Sequence, residues 1–533
     1  MHPQRLAHLR TNRGPKLESL RHILRLLSIA RTLARHDALF ILEELKLAPG
    51  IVFFAKLISS RKAPGRPGER LARAFQDMGP SFIKVGQMLS TRSDLLGEEI
   101  AADLSKLQDK LPAFSGTLAK QAIEDEFGQP INELFSSFDE EAVAAASIAQ
   151  VHFAITKPTT DHPGEEVAVK VLRPGIENAF KDDLELFFWG ARLLERTRPE
   201  MRRLKPVESV QTLARSVEME MDLRFEAAAA DEMRDNFEGN PDVFIPRIDW
   251  LRTGQRVMCT ERVHGIPFGD INAIKAQGHD GQEILRKTAE AFFIMAFRDG
   301  FFHGDMHPGN LFVLPDGAIA IVDFGIMGRL DRATRIHLAE LLMGFLGRNY
   351  RRAAEVHFEA GWIPADQPVD EFTQACRSIA EPILDKPQNE ISIARLLGQL
   401  FQITETFHME TQPQLLLLQK TMLVAEGTGR RLAPEANMWM IARPLIEEWM
   451  RVNLGLEARI QDAAQQGLDA LKRLPKIVQG LEHALGQFDA HGLRLHPDTV
   501  DQMRGRGRRR ERMTGPLILL LAIAVAGLGF AAL

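Results

Sequence analysis

The run His303-Gly304-Asp305-Met306-His307-Pro308-Gly309-Asn310, followed downstream by Asp323-Phe324-Gly325, constrains this chain more than any other feature. Asp305 ahead of Asn310, with a second Asp beyond two short apolar runs, is the spacing by which phosphoryl-transfer sites hold a catalytic acid and two metal ligands. Those runs are residues 311–314 and 318–322, and Pro315-Asp316-Gly317 between them is a turn sequence. Asn310 and Asp323 therefore bracket one small hairpin. The bland alternative, a polar loop with Asp as a turn residue, weakens once distant partners appear.

The first partner is Lys170 in Val167-Ala168-Val169-Lys170, at the end of an alternating run that reads as a strand. It matches the strand lysine that contacts nucleotide phosphates. Glu226, on a helical stretch, is the carboxylate to orient it by an ion pair; two exposed, unrelated charges are the alternative. Before the preceding strand, residues 148–155, stands Ala144-Ala145-Ala146-Ser147, where a kinase carries glycines. Alanine reaches glycine's backbone conformations less readily, which argues against close amide wrapping of phosphates. Composition alone makes this an Ala-rich turn.

Strands are further expected at residues 244–250 and 257–263, closing a five-stranded small lobe, with His264-Gly265-Ile266-Pro267 as a hinge. An apolar-faced helix over residues 282–298 leads into His303, and helices follow from residue 334. No Ala-Pro-Glu follows Gly325, so a peptide-docking activation segment is not supported.

With 533 residues the chain needs two or three packed units. A net charge of -5 with 26% charged residues gives no whole-chain reason to invoke nucleic acid. Cys259 and Cys376 alone exclude a disulfide framework and a cysteine zinc site, and the sixteen His show no zinc-protease spacing, so metal ligands are sought among oxygens. A ring hydroxylase finds no flavin fingerprint and no iron triad.

Residues 17–47 interleave Arg and Lys with Leu and Ile at helical spacing; contact with a membrane surface and packing on the body are equal readings, and a transit peptide a weaker one. After the Pro/Gly-rich break at residues 62–68, residues 71–135 read as a small helical unit. Within it Pro80 opens a helix carrying Lys84 and Gln87 one turn apart, by chemistry alone a solvated face. At the other end, Arg504, Arg506, Arg508, Arg509, Arg510 and Arg512 precede the uncharged residues 514–533. Roughly 20 residues at ~1.5 Å each match a hydrocarbon core of ~30 Å, so a C-terminal transmembrane helix with its arginines on the cytoplasmic side is expected.

These motifs together resemble the UbiB/aarF-domain family of atypical kinase-like proteins of ubiquinone biosynthesis. Lys84, Gly86 and Gln87 are similar to its K-x-G-Q signature, residues 144–152 to its Ala-rich loop with A-S-I-A-Q-V-H, and Glu220 with Asp222 to its E-x-D pair. The resemblance is dense over residues 71–328. It implies an α+β, protein-kinase-like bilobal fold: residues 1–50 basic helices, 51–135 a helical extension, 136–265 the small lobe, 266–500 the helical large lobe and 501–533 the basic stretch and anchor. It implies that Asp305, Lys170 and Glu226 are catalytic, with Asn310 and Asp323 on Mg2+. ATP would lie on Val143, Ala144, Ala145, Ala146, Ser147, Ile148, Ala149, Gln150, Val151 and Lys170. Lys84, Gly86, Gln87, Glu220 and Asp222 would be regulatory, with Lys84 and Gln87 lying across the place where a kinase receives peptide.

The function so implied is a membrane-anchored ATPase supporting ubiquinone biosynthesis in a bacterial inner membrane, the catalytic body cytoplasmic; a mitochondrial inner membrane is less favoured. Its partners would be membrane lipids, polyprenyl-phenol intermediates and other proteins of that pathway, with a homodimer left open. A true lipid or small-molecule kinase, a protein kinase and a non-enzymatic nucleotide-binding scaffold are the alternatives. Relatives commonly end in two spans, whereas residues 514–533 suffice for one.

Overall fold

The computed structural model describes residues 15–40, 63–90, 97–104, 107, 112–158, 163–197, 206–382, 403–404, 406–409, 412–433, 438–454, 488–489 and 492–493. Residues 1–450 form one compact unit and 451–533 a second. The expected membrane span at residues 514–533 lies outside the described residues, among which no helix is long and apolar enough to cross a membrane.

Among the described residues, four helices open the first unit: α1 (Pro15–Arg35), α2 (Pro67–Met78), α3 (Pro80–Ser90) and α4 (Glu98–Leu104). They share a core of Leu33, Leu71, Phe75, Phe82, Ile83 and Leu104. Helix α2 stops at Gly79, which takes φ +103°, and Pro80 starts the next helix. Of the two readings for the N-terminal basic helix, packing describes the residues seen. Ala30, Leu33 and Ala34 are buried, and Arg25 pairs with Asp183.

Helix α5 (Gly116–Phe127), capped by Ser115, and the short α6 (Ile131–Leu134) precede the small-lobe sheet. Its members are β1 (Phe135–Phe138), β2 (Ala144–Ala145), β3 (Ala149–Thr156) and β4 (Glu166–Leu172). Helices α7 (Ile176–Thr197) and α8 (Pro206–Glu220) then pack together ahead of α9 (Leu223–Asn236). The chain continues into β5 (Val243–Phe244) and β6 (Val257–Glu261), and β6 completes the small-lobe sheet in the order β1-β3-β4-β6, with β2 on the side of β3. Along β4 the side chains alternate: Val167, Val169 and Val171 are buried in a core that Ile123 of α5 shares, while Lys170 is only partly buried. That alternation is the period of two of a pleated strand.

The expected strand over residues 244–250 is corrected. Only Val243 and Phe244 are extended in a ladder, and they pair parallel with a strand outside the small-lobe sheet. Pro246 supplies no N–H to a ladder, and the Asp249 side chain accepts from the Leu251 and Arg252 amides, starting a 3-10 turn. Only Ile248 bridges to Thr260. The fifth strand is instead the alanine pair of β2.

Below this sheet, β7 (Ile266–Pro267) and α10 (Ile271–Ala276) lead to α11 (Gly281–Phe293). Residues Ile294–Asp299 continue it as a π turn, closed by Gly300 at φ +65°. Then come β8 (Phe301–His303), β9 (Leu311–Val313), β10 (Ile319–Ile321) and β11 (Met327–Arg329). The order β5-β10-β9-β7 makes one small sheet, and β8 with β11 makes another. Helices α12 (Arg332–Leu346), α13 (Tyr350–Glu359), α14 (Val369–Ala380), α15 (Pro413–Leu432) and α16 (Met438–Leu454) complete the helical lobe.

Candidate active site

Lys170 is the centre of the site. Its ammonium lies 2.7 Å from Glu226 Oε1 on α9 and 2.9 Å from Asp323 Oδ1, so one cation joins strand, helix and hairpin. Glu226 is 8% exposed, whereas the Asp323 side chain is 49% exposed and solvent screens its share of the attraction. Two carboxylates meet one ammonium, which leaves the cluster one negative charge in excess if all three are ionised. The Lys170 ammonium holds Asp323 well below the usual carboxylate range. Burial, with Asp323 alongside, pushes the Glu226 carboxyl up to about 7 against the pull of Lys170. Burial would lower Lys170, but its two carboxylates raise it above the ordinary lysine value. The protonation of these groups is a property of the cluster.

The loop from His303 to Asn310 is held by bonds between its own backbone and side chains. The Asp305 N–H donates to His303 Nδ1 at 3.0 Å, so the Nε2–H of His303 donates to the Val322 carbonyl at 3.2 Å. His303 is fully buried, and burial lowers its pKa, keeping this tautomer neutral. The Asp305 carbonyl accepts from the His307 N–H and from Asn310 Nδ2, at 2.7 and 3.0 Å. With Nδ2 spent there, Oδ1 is the Asn310 atom left to meet a cation. The Val322 N–H donates to the Asn310 carbonyl at 3.0 Å, which sets Asn310 beside the residue before Asp323. Asp323 itself takes φ +65°, a left-handed conformation uncommon outside glycine. At Gly304 an added Cβ would lie 2.8 Å from Leu417 of α15, so glycine lets that helix pack on the loop.

Among the described residues no group of three His, Cys, Asp or Glu converges on a metal site. Asp323, ionised by Lys170, and Asn310 are oxygen donors of the kind Mg2+ takes when substrate phosphates supply further ligands. The residues thus fit a nucleotide-borne Mg2+.

The alanine-rich stretch is a tight hairpin. Val143 N–H donates to Val151 at 2.9 Å, Ala144 and Ala145 pair with Val151 and Gln150, and Ala146 N–H donates to Ala149 at 2.8 Å. Ser147 is fully buried, and no group among the described residues bonds its hydroxyl. Ile148 accepts the Arg173 N–H, and Ala149 is buried. Gln150, 1% exposed, bonds the backbone of Phe114 rather than lying open to the site, which local sequence does not reveal.

Lys84 is buried and pairs with Glu220 at 2.7 Å, so the solvated face that chemistry alone suggests is corrected. Its helix is packed between α2 and the α7–α8 pair, and the charge is matched where α3 meets α8. Gly86 has a packing reason: a Cβ would lie 2.7 Å from the Phe75 ring. Gln87 follows on the same helix, its carbonyl accepting from Ser90. Asp222 caps α9 and binds the Arg224 guanidinium at 2.7 Å, a role in helix initiation separate from the Lys84–Glu220 bridge.

Residues 106–357 match the ABC1 atypical kinase-like domain and residues 376–437 the UbiB helical domain. A protein of Marinobacter nauticus named "Probable protein kinase UbiB" is 43% identical over 80% of this chain and 78% of its own length. One of the same name from Pseudomonas aeruginosa is 39% identical over 95% of each. Among solved structures, the Rv3197–erythromycin complex from Mycobacterium tuberculosis superposes with a TM-score of 0.51 at 26% identity, covering 74% of this chain and 97% of that one. The kinase-like fold, with its β-sheet and helical lobes, and the relatives agree: the chain belongs to the UbiB family of atypical kinase-like proteins.

Proposed function

We propose that the chain binds Mg-ATP and hydrolyses it as a membrane-anchored factor of ubiquinone biosynthesis. The observation that carries this reading is the cluster of Lys170, Glu226 and Asp323, with Asn310 tied by its backbone to Val322. Bound Mg2+ would neutralise phosphate charge. Asp323 and Asn310 would hold it, Lys170 would hold phosphate oxygens, and Asp305 would orient or deprotonate the attacking oxygen. Anchoring rests on the uncharged residues 514–533 behind their arginines, and it would set this chemistry beside lipid-borne polyprenyl phenols.

One feature favours a small acceptor, water or a lipid, over a protein. Residues 326–331 are all that lie between Gly325 and α12, and half of them are taken up by β11 against β8. That leaves no peptide-docking segment of the protein-kinase kind. A lipid or small-molecule kinase is therefore the second reading. Asp323→Asn in the purified full chain should lower Mg-dependent ATP turnover at least about 100-fold, because it removes the charge that meets the metal. Unchanged turnover overturns the assignment. Label from γ-labelled ATP found on any acceptor other than water selects the kinase reading.

A further inference from the structure

The alanine-rich hairpin lacks glycine's freedom, so its position must be imposed from outside. Two side chains do this, and both reach the same short segment ahead of α5. The Arg173 guanidinium, at the end of β4, donates from one nitrogen to the Pro112 carbonyl at 2.7 Å and to the Ala146 carbonyl at 3.2 Å. It also lies 5.4 Å from the centre of the Phe114 ring, within cation–π range. The backbone of Arg173 adds a bond to the Ile148 carbonyl at 2.8 Å. From β3, the Gln150 amide accepts from the Phe114 N–H at 2.9 Å and donates to the Phe114 carbonyl at 3.1 Å, as a neighbouring strand would.

Gln150 is itself fixed. Its Nε2 lies 2.8 Å from His152 Nε2, and the other ring nitrogen of His152 lies 2.8 Å from the Asp139 carbonyl. His152 is fully buried and stacks on Phe138, and burial keeps it neutral, so Nδ1–H serves Asp139 and Nε2 accepts from Gln150. Hydrogen bonds thus tie Asp139, His152, Gln150 and the Phe114 backbone together on one side, and Pro112, Arg173 and Ala146 on the other, and the segment from Pro112 to Phe114 joins the two.

We propose that Arg173 and Gln150, acting through Pro112 and Phe114, are positioning residues that fix the alanine-rich hairpin in the conformation that receives the nucleotide phosphates. The proposal rests on the nucleotide reading above and adds how a loop without glycine is shaped for that ligand. Neither side chain needs to touch the nucleotide. Their loss should weaken ground-state and transition-state binding alike, which appears in KM and not in kcat.

The test is binding of Mg-ADP to the purified full chain by titration calorimetry, alongside KM and kcat for ATP and a thermal melt. Arg173→Met keeps the apolar stem over Phe114 and deletes both bonds; Gln150→Leu deletes the pair to the Phe114 backbone. Each should raise Kd and KM about tenfold while kcat falls less than about threefold. Arg173→Lys keeps one donor and should fall between, about threefold weaker than wild type. A folded Arg173→Lys or Gln150→Leu with wild-type Kd and KM overturns the clamp and leaves nucleotide binding standing. If Arg173→Met does not fold, the lysine variant carries the test. A wild-type chain that binds no Mg-ADP overturns the nucleotide reading and the clamp together.

Discussion

The two sides of the site are built by different means. Lys170 stands on β4, which runs seven residues between β3 and β6 and is paired along its length on both sides. Asp323 and Asn310 hang from strands of three residues, β9 and β10, whose support comes from elements far away in sequence: β5, β7 and α11. A long ladder fixes a side chain by repetition, so no single neighbour decides its place. A short hairpin fixes it by a few close approaches, so single atoms decide. The lysine side should therefore tolerate changes around the functional residue, and the aspartate side should not.

The largest expected effect attacks the join between the two. Lys170→Met leaves Glu226 and Asp323 without their shared cation and should lower ATP turnover by about 100-fold or more. Turnover within threefold of wild type would break the claim that the two sides meet at this lysine. Next, Gly328→Ala places a methyl against the fully buried Phe302 ring across the β8–β11 pair and should cost about 2–3 kcal/mol, read as a lower Tm or denaturation midpoint. A neutral result would show that the short strands yield as easily as the long ones.

A smaller effect is a slope. The Glu226 carboxyl has an ordinary value of 4.5 and is pushed up to about 7 in the fold. Between those values the folded chain holds a proton that the unfolded chain has released. The stability from this group is thus fully present below 4.5 and lost as pH rises toward 7. Glu226→Gln should flatten that part of the stability–pH curve, and parallel curves for variant and wild type would refute the shift. The smallest effect lies on the long sheet: Ile155→Thr, at a position 39% exposed, should move stability by no more than about 0.5 kcal/mol by denaturant unfolding.

The same contrast explains what could be read in advance. Lys170 sits in an alternating strand and Asp305, Asn310 and Asp323 in one short run, so local pattern carries them. Helix α3 is legible because Pro80 marks its start. The Lys84–Glu220 bridge is not, since it joins helices far apart in the chain and the resemblance named both residues without pairing them. Residues 244–250 mislead because Ile245 and Ile248 are buried like strand residues while Pro246 and Asp249 break the ladder. The bonds from Arg173 to Pro112 and from Gln150 to Phe114 leave no local trace.

The wide turn at Ile294–Asp299 has a consequence for chain length. A π turn carries one residue more than the α turn it replaces and takes that residue up within the turn, before the chain enters β8. Excising a residue there would restore an ordinary helix and leave the exit in place, whereas excising one from the regular turns of α11 would swing the exit by about 100° around the axis. His303 would then no longer face Val322, although no motif residue had changed. Along α11 the count of residues, as much as their identity, sets the active-site geometry, and surface turns such as Pro315-Asp316-Gly317 are where the chain can absorb a change in length.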